Sequence, residues 1–179
     1  MLAPLRPAPA WTFWGFLVAL GLLAPDILRP AGWSFQGGVA LIFHEAGHVL
    51  FLPFGQTLYL MGGSLFQVLL PAALAGVFHW QGEGVSAAVM LLWVAQNLGN
   101  VSVYVGDAQD RLLPLLGDDL DSHDWWRLLG SWHALPLAPT LGRALWLLGV
   151  AVALLTVWVA YRGVWTGRPG VLVSPGRPG

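Results

Sequence analysis

Five stretches of this chain are each apolar over about 20 residues, the length an α-helix needs to cross the hydrocarbon core of a bilayer. They run from about 8 to 28, 35 to 54, 58 to 80, 84 to 105 and 140 to 161. Hydrophobic residues make up 56% of the chain and charged residues 9%, against roughly 25% charged in a typical soluble domain. So few charges cannot dress a soluble surface, and so much apolar length excludes disorder. Many of the eleven tryptophans stand near span ends: Trp11, Trp14, Trp33, Trp80, Trp158 and Trp165. That is the aromatic belt of an integral membrane protein. The expected fold is all-α, a polytopic bundle of about five transmembrane helices with one interfacial helix, and the lipid bilayer is its first partner. The formal net charge is -1 and the eight cationic residues are scattered, which argues against a nucleic-acid partner. With no cysteine there is no disulfide framework and no thiolate metal site.

The first stretch follows Arg6 like a signal peptide, but Pro25-Asp26 stands where a small-residue cleavage site would be, so it is expected to remain. The second and third stretches are joined by a tight turn around Pro53, Gly55 and Gln56, and the third and fourth by Gln81–Glu83. Both joins imply antiparallel hairpins. The long connection, Gly106 to Pro139, carries Asp107, Asp110, Asp118, Asp119, Asp121 and Asp124. Its Trp-rich part, Trp125 to Leu135, is expected to lie as a short helix in the interface plane. Residues 1–165 read as a single transmembrane domain, and the Gly/Pro-rich stretch 166–179 as a flexible tail.

Inside the second stretch stands His44-Glu45-Ala46-Gly47-His48. Histidines four apart share one face of a helix, where two imidazoles can grip one zinc ion. Zinc lowers the pKa of bound water and polarises a carbonyl. Glu45, beside the first histidine, is placed as general base. Ionisable residues inside a membrane span are expensive and mark function by default. In the fourth stretch Asn97, Asn100, Tyr104 and Asp107 follow at steps of three, four and three, one stripe of a helix. Ser64 and Gln67 share a face of the third. With a rise of 1.5 Å per residue, His48 of the second stretch, Ser64 and Gln67 of the third and Asn97 and Asn100 of the fourth lie about 8 to 14 Å deep, measured from the same side, while Asp107 sits near the interface. Interhelical glue is the bland explanation for such residues, and it suits Ser64 alone.

The chain thus resembles the site-2 protease group of intramembrane zinc metalloproteases over roughly 35–111. The resemblance rests on His44-Glu45-Ala46-Gly47-His48 in a membrane helix and on an Asn-bearing helix that ends in an aspartate two spans later. It implies zinc held by His44, His48 and Asp107, with water activated by Glu45. The aspartate stands here in Gly106-Asp107-Ala108 rather than the group's Leu-Asp-Gly, and there is no PDZ-like domain. The chain is also similar to small bacterial membrane proteins that combine the same helix with a later His-Asp-Trp, here His123-Asp124-Trp125.

A zinc hydrolase wants a third protein ligand and an open fourth position. The candidates rank Asp107, then His123, then Asp124. Asp118, Asp119 and Asp121 read as a solvated loop, and His79 and His133 as interfacial or packing residues. The expected activity is hydrolysis of a peptide bond in a membrane-protein or peptide substrate, with Asn97 and Asn100 hydrogen-bonding an unwound substrate backbone. A non-catalytic metal-binding membrane protein, a transporter or chaperone, is the alternative. Arginines near span ends number four on each side, so the positive-inside rule does not orient the chain. The resemblance implies a bacterial cytoplasmic membrane, with the zinc-bearing side and acidic connection facing the cytoplasm.

Overall fold

A computed structural model describes residues 10–30, 34–115 and 120–166. Its helices are α1 (Ala10–Leu28), α2 (Phe35–Phe51), α3 (Gln56–Trp80), α4 (Gly84–Gly106), α5 (Asp124–Ser131) and α6 (Ala138–Thr166). The architecture is all-α. Five helical segments are long and apolar enough to cross a membrane, at Trp11–Leu28, Phe35–Phe54, Gln56–Trp80, Gly84–Gly106 and Leu135–Ala160. The last begins about five residues earlier than the hydropathy pattern indicates, because a 3₁₀ turn at Leu135–Leu137 leads directly into α6. Asp118 and Asp119, and the tail beyond Thr166, lie outside the described residues.

Local chemistry sets the helix ends. Ser34 caps α2 by accepting from the Gly37 N–H at 2.9 Å, which satisfies one of the first-turn donors that a helix leaves open. The same hydroxyl donates to Asp26 at 2.6 Å and ties the start of α2 to the end of α1. Gly55 (φ 91°) and Gly82 (φ 82°) take up the two tight turns, in a region of backbone space open to glycine at little cost.

α4 is the central helix. It packs most extensively on α6, then on α3 and α1, whereas α2 packs on α3 and barely touches α4. Lipid gives two apolar helices no reason to associate, so close backbone approach through small residues has to do it. On α6, a Cβ at Gly142 would crowd the Ser102 carbonyl, and one at Gly149 would crowd the Ala95 carbonyl. Between α2 and α3 the same contact forms where Gly47 meets Gly62. Large side chains such as Ile42, Val49, Leu154 and Leu155 are left on the outside, where hydrocarbon is the solvent.

Candidate metal centre

His44 and His48 lie one helical turn apart on α2, both buried. Their ring centroids are 4.8 Å apart. His44 is seated by α3: a Cβ at Gly63 would overlap its imidazole, so only glycine leaves room for the ring. The Nδ1 of His44 is 2.9 Å from Gln67 Oε1, and the Nδ1 of His48 is 2.7 Å from the Tyr59 carbonyl oxygen. Both partners are acceptors, so both Nδ1 atoms carry a proton and both Nε2 atoms are turned away from them, toward Asp124. An outer hydrogen bond that selects the tautomer is what metal-ligating histidines almost always have. Gln67 is itself oriented, donating through Nε2 to Asn100 Oδ1 at 3.0 Å.

The third member comes from the long connection. Asp124, the first residue of α5, places Oδ2 3.2 Å from His44 Nε2 and 3.2 Å from His48 Nε2. Tyr104 on α4 holds this carboxylate from behind, donating to the same Oδ2 at 3.0 Å while its oxygen accepts the Asp124 N–H at 3.0 Å. Burial alone would raise the Asp124 carboxyl pKa, but the hydrogen bonds and charge of His44 and His48 outweigh it and hold it well below the usual carboxylate range. Asp124 is therefore a carboxylate. Ligand atoms of His44, His48 and Asp124 all lie within 4.8 Å of one another. Two ring nitrogens and a carboxylate oxygen thus converge on one point, where a proton or a metal ion can sit between them. This group could hold a metal ion.

Asp107 and His123, the favoured and second candidates for the third ligand, stand outside this group. Asp107 is spent on the chain that follows it, accepting from Leu112 N at 2.9 Å through Oδ1 and from Leu113 N at 3.1 Å through Oδ2. His123 is fully buried. It caps α5, its Nδ1 accepting from the Trp126 N–H at 3.3 Å, and its ring stacks on Tyr104 at 4.3 Å. Its Nε2 lies 3.5 Å from Asp107 Oδ2 but makes no formed hydrogen bond among the described residues. Burial pushes the His123 pKa down, with Asp107 and Asp124 opposing it. A neutral ring fits the accepting role of Nδ1. The pair thus supports Asp124 from one layer out. The reason is directional: Asp107 closes α4 and turns into the connection, so the next residue able to reach back over the histidines is the one that opens α5.

The interfacial helix is also shorter and more deeply seated than its composition indicates. It ends at Ser131, and His133 then takes a left-handed backbone (φ 52°). Leu128 and Leu129 are buried. Trp125 Nε1 donates to Ser64 Oγ at 2.9 Å, so Ser64 does act as glue, between α3 and α5. Arg111 stacks over Trp126 at 4.5 Å and reaches Asp121 at 3.2 Å. His79 and His133 are exposed, away from the centre.

A cavity of about 530 Å³ lies against the group, and Glu45, Asn100, Tyr104 and Arg127 are among its lining residues. Asn97 does not reach it. Its Nδ2 donates to the Trp93 carbonyl one turn back at 2.9 Å, and the residue is fully buried. The polar stripe along α4 is wider than the exposed part of that helix, so Asn97 turns into the bundle while Asn100 and Tyr104 face the cavity. No sequence pattern points to the Tyr59 carbonyl as a partner of His48. A signal did exist for the seat of His44: Gly47 and Gly62-Gly63 are the small residues that let α2 and α3 close around it. No family model, curated protein or solved structure matches the chain.

Proposed function

We propose that this protein is a membrane-embedded zinc hydrolase that cleaves a peptide bond of a membrane-bound substrate. The observation that carries the proposal is the convergence of three potential ligand atoms, from His44, His48 and Asp124, beside a cavity that Glu45 also lines. The 3.2 Å separations between Asp124 Oδ2 and the two Nε2 atoms are close to the ~3.3 Å expected between neighbouring ligands of a tetrahedral ion with bonds of about 2.0–2.1 Å. Two imidazoles and one carboxylate form a donor set that suits zinc and leaves a fourth position. A zinc ion held there supplies the positive charge that polarises a carbonyl and acidifies water.

The chain's own residues do the rest. Gln67 and the Tyr59 carbonyl keep the imidazoles in the ligating tautomer, and Tyr104 keeps Oδ2 of Asp124 turned toward them. Glu45, exposed to the cavity, takes a proton from the attacking water and returns it to the departing amine. Asn100, whose Oδ1 is occupied by Gln67, has its Nδ2 donors left for a substrate carbonyl. The resemblance to site-2 proteases favours a bacterial cytoplasmic membrane with this centre toward the cytoplasm.

Glu45→Gln tests the proposal. The variant should keep its zinc and lose peptide hydrolysis by about 10²-fold or more, the scale of general-base catalysis. Full zinc content with an unchanged hydrolysis rate would remove Glu45 as base. Zinc binding without hydrolysis in the wild type would leave a metal-binding membrane protein.

A further inference from the structure

Arg127 stands on the arm that carries Asp124 but takes no part in holding it. It follows Asp124 by three residues on α5, and side chains at that spacing share a helix face, with Cβ atoms about 5–6 Å apart. It is exposed, and it lines the same cavity as His44, Glu45, His48 and Asp124. Its guanidinium, charged at every working pH, makes no ion pair or hydrogen bond among the described residues. The other arginines of this side are placed elsewhere. Arg111 stacks over Trp126 and reaches Asp121, and Arg143 lines a separate groove between α4 and α6.

The surroundings describe what such a cation takes. Asp124 is engaged by His44, His48 and Tyr104, and Glu45 forms no ion pair with Arg127 among the described residues. The lining that the connection adds includes Leu113, Pro114 and Leu115, which are apolar. A single guanidinium fork matches one carboxylate, which it binds through two parallel N–H···O bonds. A phosphate group carries three acceptor oxygens and up to twice the charge. It would call for a second cation, and no second arginine or lysine lines the cavity among the described residues. The spacing also fits a peptide. The carbonyl of the last peptide bond and the terminal carboxylate are one residue apart, at most about 3.6 Å of chain. Asp124 and Arg127 are separated by a rise of about 4.5 Å along α5. The two lengths are of one scale, and the long arginine side chain makes up the difference.

We propose that Arg127 binds the terminal carboxylate of the substrate, so that the bond cleaved is the last of a chain. One water breaks that bond, its hydroxyl going to the shortened chain and its other proton to the amine of the released amino acid. The proposal rests on the zinc hydrolase reading, so its test measures binding to the zinc-loaded, full-length protein by titration calorimetry rather than turnover. Succinic monohydroxamate carries its carboxylate two atoms from the carbonyl that chelates zinc, the spacing found in the last peptide bond. Its primary amide is the uncharged twin, its phosphonate analogue stands for a phosphate-bearing lipid, and acetohydroxamate is the chelator alone.

The wild type should bind the carboxylate probe about tenfold more tightly than its amide, or better, the scale of a charge-assisted pair. Arg127→Gln should abolish that preference. Arg127→Lys should keep only part of it, because an ammonium is a point charge and not a fork. Acetohydroxamate should bind all three proteins alike. Equal binding of the carboxylate and amide probes by the wild type, a comparison that needs no variant, would overturn the proposal. A preference that persists in Arg127→Gln would overturn the choice of residue, as would an equal weakening of acetohydroxamate in that variant. Preference for the phosphonate over the carboxylate, lost in Arg127→Gln, would overturn the peptide end in favour of a phosphate-bearing lipid. Failure of acetohydroxamate to bind the zinc-loaded wild type would instead overturn the metal reading beneath the proposal.

Discussion

Asp124 and Asp107 show how differently two carboxylates of one connection can be used. Asp124 Oδ2 meets both imidazoles at 3.2 Å, while both oxygens of Asp107 accept backbone N–H groups. On the zinc reading proposed above, Asp124→Ala should therefore strip most of the metal, as should His44→Ala and His48→Ala. Asp107→Ala and His123→Ala should weaken binding only by about 10 to 100-fold, as loss of an outer partner does. Competition with a chromophoric chelator would show this, and a larger loss in Asp107→Ala than in Asp124→Ala would exchange their roles. Tyr104→Phe makes a sharper test. It keeps the ring stacked on His123 at 4.3 Å and removes only the hydroxyl that holds Asp124. Zinc affinity should fall about 10 to 100-fold, and the visible spectrum of the cobalt-substituted protein should shift. An unchanged spectrum and affinity would make Tyr104 a packing residue only.

At the scale of elements, the centre exists because α2 and α3 come close enough for α3 to seat the histidines. Gly47 and Gly62 bring the two backbones together, and Gly63 leaves the volume that the His44 ring fills. Gly47→Ala should force the helices apart and lower stability by about 1–3 kcal/mol, the usual cost of overpacking. Gly63→Ala should instead be felt at the ring: relaxation of the His44 side chain should keep most of the thermal stability, while zinc affinity drops. Gly76, on the same helix, would meet nothing within 4 Å of an added Cβ, so Gly76→Ala should leave both quantities nearly unchanged. Melting curves with and without zinc would separate the three. The helices themselves were legible in the sequence, since 20 apolar residues in a row leave the backbone no other way to satisfy its hydrogen bonds in lipid. The α5 arm was less so. Its eight residues are too few for a hydropathy signal, and its seat depends on Trp125 reaching Ser64 and on Leu128 and Leu129 being buried.

For the whole molecule, the order of spans places the Gln81–Glu83 turn and the connection after α4 on opposite faces of the membrane. Single cysteines at Gln81 and Asp110 should therefore label oppositely with a membrane-impermeant thiol reagent applied to intact cells. Labelling of both would mean that α4 does not cross. If the centre faces the cytoplasm, Gln81→Cys is the one that labels. The centre is thus built from three spans and one interfacial helix, roofed by the connection on a single side of the bilayer.

The sequence by itself determined the spans, the His44/Glu45/His48 face and the depth at which Gln67 and Asn100 would meet it, because these follow from periodicity and rise along single helices. Which carboxylate completes the group was decided only in three dimensions. Asp107, His123 and Asp124 are all acidic or imidazole groups of one connection, and no period relates them to α2. The choice fell to a turn after α4, a cap at His123 and the docking of α5, which together aim Asp124 at the histidines and leave Asp107 to hold the loop. The same holds for Asn97: its helix position is a matter of sequence, but whether it faces the cavity or the bundle depends on which neighbours α4 acquires.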